Sequence, residues 1–151
     1  MVVDEKIAIR ALEAGERPAL ERPRILLADD HHPVLSRVIS LLKAQFEVVG
    51  SVSDGRALVR EAQRLQPDVI VLDVTMPILT GIEAARELHE LGSKAKLVFL
   101  TVHQSPAFVR ECFAEGGSGY VTKARMVTDL IPAINEALSS RRFVSPSATH
   151  L

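Results

Sequence analysis

The sequence is poor in the features that mark several protein classes. It has a single cysteine, Cys112, which excludes an intramolecular disulfide. It lacks an excess of either charge: 18 Lys+Arg stand against 19 Asp+Glu, a net charge of -1. Without a basic surplus, no direct nucleic-acid binding by this chain is expected. No apolar run approaches the ~20 residues that a membrane span requires, so no membrane segment is expected. No basic, apolar, small-residue leader opens the sequence, and with one cysteine this makes the cytoplasm the expected compartment. Internal repeats and low-complexity tracts are also missing. At 151 residues and 47% hydrophobic, the chain suffices for one domain burying roughly 70% of its unfolded surface, and is too short for two good cores.

What is present is organised around Asp68 to Gly81, DVIVLDVTMPILTG. Val69 to Leu72 form a short, β-branched apolar run that ends on Asp73, the pattern of a strand buried on both faces. The earlier run Ile25 to Ala28 ends in the same way on Asp29 and Asp30. Three acids at strand ends suggest one acidic pocket.

The remaining elements follow in order. Met1 to Pro23 is a mixed, charged extension, flexible or helical. Pro33 suits a first helical turn, and Val34, Leu35, Val38, Leu41 and Leu42 mark one helix face. Phe46 to Ser53 reads as a strand, and Leu58, Ala62 and Leu65 as a helix closed by Pro67. Thr80 and Glu83 have capping-box spacing before a helix stopped by Gly92. Lys96 to Thr101 is a strand, and Ser105 and Pro106 begin a helix carrying Val109, Cys112 and Phe113. Cys112 lies on its apolar face and reads as core. Ser118 to Thr122 is a short fifth strand. Val127, Leu130, Ile131, Ile134, Ala137 and Leu138 form the last apolar stripe.

Five strands alternating with five helices predict an α/β fold: a doubly wound, five-stranded parallel sheet of order 2-1-3-4-5, flavodoxin-like in architecture. In such sheets ligands bind beyond the carboxyl ends of the strands, at the switch point between the first and third. Asp29, Asp30 and Asp73 fall there. Thr101 and Lys123 close the fourth and fifth strands and should face the same rim.

Taken together, the acidic pair Asp29 and Asp30, Asp73, Met76 and Pro77 in DVTMP, Gly81, Thr101, Tyr120 and Lys123 resemble the response-regulator receiver domain, the CheY-like module of two-component signalling. The resemblance covers Arg24 to Ser140 and leaves 141–151 as a tail or the start of a linker. The wording ADDHHP and RRFVSP is most similar to regulators whose receiver precedes a LuxR-type helix-turn-helix domain. The resemblance implies a phosphorylation-dependent switch, not an enzyme with its own substrate, although it assists its own phosphoryl transfer and dephosphorylation. Asp73 would accept a phosphoryl group from a sensor histidine kinase or phosphotransfer protein. Thr101 and Tyr120 would form the switch face, controlling a partner, a homodimer or an effector domain.

Carboxylates about 4 Å apart repel by roughly 4 kcal/mol at an effective dielectric of 20, so three converging acids need a cation or raised pKa values. Mg²⁺, or Mn²⁺, suits an all-oxygen site that also admits a phosphate. Its expected ligands are Asp29, Asp30, Asp73 and, by resemblance, the Thr75 backbone carbonyl. Lys123 would supply further positive charge and Thr101 a hydroxyl hydrogen bond.

Each residue also has a plain reading: an acid pair before a proline-initiated helix can be an N-cap, Asp73 a turn cap, Lys123 a solvated charge. His31 and His32 lack further ligands and read as solvated. An aspartate-nucleophile phosphatase of the haloacid dehalogenase type needs two acids separated by one residue, whereas Asp29 and Asp30 are adjacent. A flavodoxin-type cofactor module needs a hydroxyl- or glycine-rich phosphate loop where this chain has acids. A third reading, a receiver-like binding domain that is never phosphorylated, is weakened because no expected acid is missing. Ala124 after Lys123 and Val102 after Thr101 depart from the commoner family residues, and Thr75 and His103 occupy variable positions that tune phosphate lifetime.

Overall fold

The computed structural model describes residues 22–149, so nearly all of the predicted extension Met1–Pro23 lies outside the described residues. Six strands form one parallel sheet: β1 (Arg24–Ala28), β2 (Glu47–Val52), β3 (Val69–Leu72), β4 (Lys96–Thr101), β5 (Gly117–Thr122) and β6 (Phe143–Val144). Their order is β2-β1-β3-β4-β5-β6. The helices are α1 (His32–Leu42), α2 (Gly55–Leu65), α3 (Gly81–Glu90), α4 (Pro106–Ala114), α5 (Met126–Leu138) and the short α6 (Pro146–Thr149). A 3₁₀ turn, Lys123–Arg125, joins β5 to α5.

The expected order 2-1-3-4-5 is present, and the expected count of five strands and five helices becomes six of each among the described residues. The additions come from the stretch after Ser140, where β6 pairs with β5. A two-residue strand carries no readable period of hydrophobicity; only its pairing reveals it.

Alternation along the strands divides the core. Ile25, Leu27, Val69, Val71, Val98, Leu100 and Val121 pack against α1 and α5. Leu26, Ala28, Ile70, Leu72, Phe99 and Tyr120 face α2, α3 and α4. Truncating any of the fully buried leucines to alanine would cost about 2–5 kcal/mol. Helices therefore cover both faces, and the sheet's two ends are left open to polar groups.

Local signals set the helix starts. The Asp54 side chain accepts from Ala57 N at 2.7 Å, and Thr80 and Glu83 form the complete capping box. Ser105 caps α4 before Pro106. Gly92 ends α3 at φ 76, the left-handed geometry that glycine tolerates. One sequence reading differs: Val127 is 68% exposed, and Met126 and Ala133 join the α5 core stripe. Among the described residues no helix is long and apolar enough to cross a membrane.

Candidate functional site

The sheet's hydrogen bonds continue one residue past two strands. Asp29 N donates to Val52 O and Asp73 N to Ala28 O, both at 3.0 Å. These bonds fix the direction in which the two carboxylates leave the sheet. Asp29 and Asp73 are 3% and 6% exposed, while Asp30 is exposed. Oxygens of all three carboxylates lie within 4.8 Å of one another.

Lys123, at the start of the 3₁₀ turn, reaches back into this cluster. Its Nζ lies 2.9 Å from Asp73 Oδ2 and 2.8 Å from Asp29 Oδ2. The Asp73 contact is a hydrogen bond, and the Asp29 contact is a close ion pair. Among the described residues Asp29 Oδ2 has no partner besides this ammonium. Asp29 Oδ1 accepts from His31 N at 2.9 Å, and Asp73 Oδ1 accepts from Val74 N at 2.7 Å and, longer, from Thr75 N at 3.5 Å.

Burial holds the Asp29 carboxyl above its ordinary range, aided by the charge of Asp73; Lys123 and the His31 amide oppose this without cancelling it. For Lys123, burial pulls the ammonium pKa down, but the two carboxylates outweigh it and raise it. Three carboxylates facing one ammonium leave an excess of negative charge. An oxygen-only donor set, a buried carboxylate whose Oδ2 relies on one shared ammonium, and uncompensated charge together fit a small, hard dication.

The other predicted site residues stand close to this rim. Thr75 is exposed, and its carbonyl accepts no hydrogen bond among the described residues. Thr101 is fully buried, its Oγ1 accepting from His103 N at 3.4 Å. Tyr120 is also fully buried, with its hydroxyl donating to His103 O at 2.8 Å; burial pushes its phenol pKa up. His31 and His32 are exposed, and neither belongs to the acidic cluster.

His103, noted in the sequence only as a variable position, has contacts that the sequence does not show. Its backbone meets Thr101 and Tyr120, its Nε2 lies 2.9 Å from Thr75 Oγ1, and its ring stacks at 4.5 Å on Phe108. It therefore ties the loop after β3 to the loop after β4. No spacing rule reports such a contact, because its partners are 28 and 17 positions away in the chain.

The loop after β3 is held by close approach. Gly81 N donates to Val74 O at 2.8 Å, and a Cβ on Gly81 would lie 1.8 Å from Asp73 O. Leu79 N donates to Pro77 O at 2.7 Å across Ile78, whose φ is 70. This is a tight γ-turn, a strained conformation for a β-branched residue.

A parallel sheet with three carboxylates and a lysine at its switch point defines the class of protein, and sequence comparison agrees. Residues 25–135 match the response regulator receiver domain, and the chain belongs to this family, the receiver domains of two-component response regulators. Response regulator GacA of Pseudomonas viridiflava is 32% identical over 125 residues, covering 82% of this chain and 58% of that protein. Transcriptional regulatory protein DegU of Brevibacillus brevis is 31% identical over 129 residues, covering 84% and 55%. The chain thus spans a little over half the length of these curated relatives. Among solved structures, a LuxR-family two-component response regulator from Aurantimonas sp. SI85-9A1 matches with a TM-score of 0.81 at 35% identity, covering 85% of this chain and 93% of that one.

Proposed function

We propose that Asp73 accepts a phosphoryl group from a sensor histidine kinase or phosphotransfer protein, and that the domain is the switch this modification operates. The observation that carries the reading is the paired environment of Asp73: one oxygen held by the Val74 amide, the other by Lys123. A carboxylate so oriented is a positioned nucleophile. One of its oxygens attacks phosphorus, a P–O bond forms, the donor's P–N bond breaks, and that electron pair stays on the imidazole nitrogen. Hydrolysis of the acyl phosphate by water returns the free carboxylate.

Asp29, Asp30, Asp73 and the Thr75 carbonyl would hold Mg²⁺ or Mn²⁺, which when bound supplies charge neutralisation for the phosphoryl oxygens. Lys123 contributes the fixed cation. Thr101 uses its oxygen as an acceptor for the His103 amide, leaving its O–H to donate to a phosphoryl oxygen. Because His103 also accepts from Tyr120, movement of Thr101 is felt at the tyrosine and on the surface formed by α4, β5 and α5. That surface is the proposed site for a partner or a second copy of the chain. The relatives' names, transcriptional regulatory protein among them, support a transcriptional output, and the proposed compartment is the cytoplasm.

Incubation with a small acyl phosphate and magnesium is expected to add one phosphoryl group by mass, and none to Asp73→Asn. Full labelling of that variant, or of wild type after chelation of divalent cations, would sink the assignment.

A further inference from the structure

The segment after Ser140 closes one edge of the sheet as a seam. β6 pairs with β5 through Phe143 opposite Gly119 and Val144 opposite Tyr120. Ser145 is fully buried, and all its polar groups facing β5 and α5 are engaged. Its amide donates to Tyr120 O at 2.8 Å, its hydroxyl donates to Asp129 Oδ2 at 2.7 Å and accepts from Thr122 N at 3.2 Å. Thr122 and Ser147 share a further hydroxyl contact at 2.9 Å. Ala148 is buried in the same apolar cluster as Tyr120, and Arg142 lies 4.9 Å above the Phe113 ring of α4.

Asp129 also has a cationic partner. Arg125 Nε lies 2.8 Å from Asp129 Oδ2. The turn Lys123–Arg125 therefore carries the cation of the acidic pocket at one end and the cation that clamps Asp129 at the other. Thr122, directly before Lys123, is bonded to the seam through both its amide and its hydroxyl. A displacement of the Lys123 backbone would be passed to its neighbour Thr122 and, across the three-residue turn, to Arg125.

We propose that Phe143–Thr149 is a strap that reports the state of the acidic pocket, with the Lys123–Arg125 turn as the coupling element and Asp129 and Ser145 as its positioning residues. This deepens the phosphoacceptor reading and rests on it. The sign follows from the packing. The strap docks on Tyr120 in its buried position, and a phosphoryl group that draws Thr101 and Lys123 inward favours that same arrangement. Occupation of the pocket therefore tightens the strap, and by linkage an undocked strap weakens occupation by the same factor.

The test uses the wild-type chain with magnesium, with and without beryllofluoride as a phosphoryl mimic, followed by amide hydrogen exchange. Exchange at the Ser145 and Ala148 amides is expected to slow about fivefold or more, the lower end of ordinary allosteric coupling. Ser145→Ala is expected to raise the beryllofluoride concentration for half-protection of the Val74 and Thr75 amides by a matching factor. Protection of Val74 and Thr75 in wild type with unchanged exchange in the strap overturns the strap alone. Absence of any protection at Val74 and Thr75 overturns the phosphoacceptor reading and the strap with it. Ser147→Ala removes a half-buried hydroxyl contact and serves as the second variant; unaltered half-protection in both variants also overturns the coupling.

Discussion

The two ends of the sheet are built from similar residues and differ in how their charges are satisfied. At the end where the strands begin, Asp68 Oδ2 accepts from Arg24 N at 2.8 Å, and Arg24 Nη1 donates to Leu65 O and Gln66 O at 2.6 and 3.1 Å. Asp68 is solvent-exposed, and a cleft of about 330 Å³ opens beside it between Pro67, Lys94 and Lys96. At the end where the strands finish, Asp29 and Asp73 are buried and share one ammonium, so two carboxylates rely on a single cation. Buried charge short of partners distinguishes the end suited to chemistry, because there a bound cation or phosphoryl group gains interactions that water does not already supply.

The sharpest way to break the comparison is Gly81→Ala. Its Cβ would sit 1.8 Å from Asp73 O and 2.9 Å from Asp73 C, both backbone atoms that cannot turn aside. A loss of about 3 kcal/mol in urea unfolding is expected, together with loss of phosphorylation. Full stability in this variant would mean that the loop after β3 is not held by close approach.

Lys123→Ala tests the shared cation. Removing it leaves Asp29 and Asp73 facing one another without compensation, at a cost of about 2 kcal/mol. Magnesium is expected to restore part of this loss, because a dication can replace the missing charge. An unfolding midpoint equally low with and without magnesium would contradict the acidic pocket's need for a cation.

Asp129 offers a buried carboxylate that is fully paired. Burial alone would raise its pKa, but hydrogen bonds from Arg125 and Ser145 outweigh it and hold it below the ordinary 3.8. A carboxyl with a depressed folded-state pKa contributes stability that is complete above its unfolded pKa and is lost as pH falls through the folded one. Wild type is therefore expected to exceed Asp129→Asn by about 1 kcal/mol at neutral pH, with the gap closing below about pH 4. A gap that persists in acid would show that charge is not its source.

The smallest effect is expected at the opposite end. Asp68→Ala removes an exposed acceptor, costing under about 1 kcal/mol in unfolding, and leaves phosphorylation of Asp73 unchanged. A large loss of labelling would join the two ends and remove the distinction between them.

Much of the fold was readable because its causes are local. The β-branched run Val69–Leu72 buries all four side chains, and Thr80 with Glu83 makes the capping box their spacing announces. The pocket's acids were readable for the same reason: an apolar run must end somewhere, and Asp29 and Asp73 stand where two runs end. Which acid is buried was not readable. Asp29 and Asp30 are adjacent and alike in sequence, yet one turns under Lys123 and the other faces solvent. The exposure of Val127 beside buried Met126 was equally hidden, since apolar character alone does not say which neighbour a helix presents to the sheet.

The sequence by itself determined the alternation of strands and helices, the caps that delimit them and the set of acids, hydroxyl and lysine assigned to one rim. These follow from side-chain periodicity and from polar groups that satisfy the backbone within a few residues. Only the tertiary structure decided that Lys123 is shared between two carboxylates 94 and 50 positions earlier, that His103 joins two loops, and that Ser145 is buried against Asp129. Each is a contact between residues distant in the chain, made favourable by the geometry of the closed sheet and the low dielectric beneath it, and no local pattern encodes that.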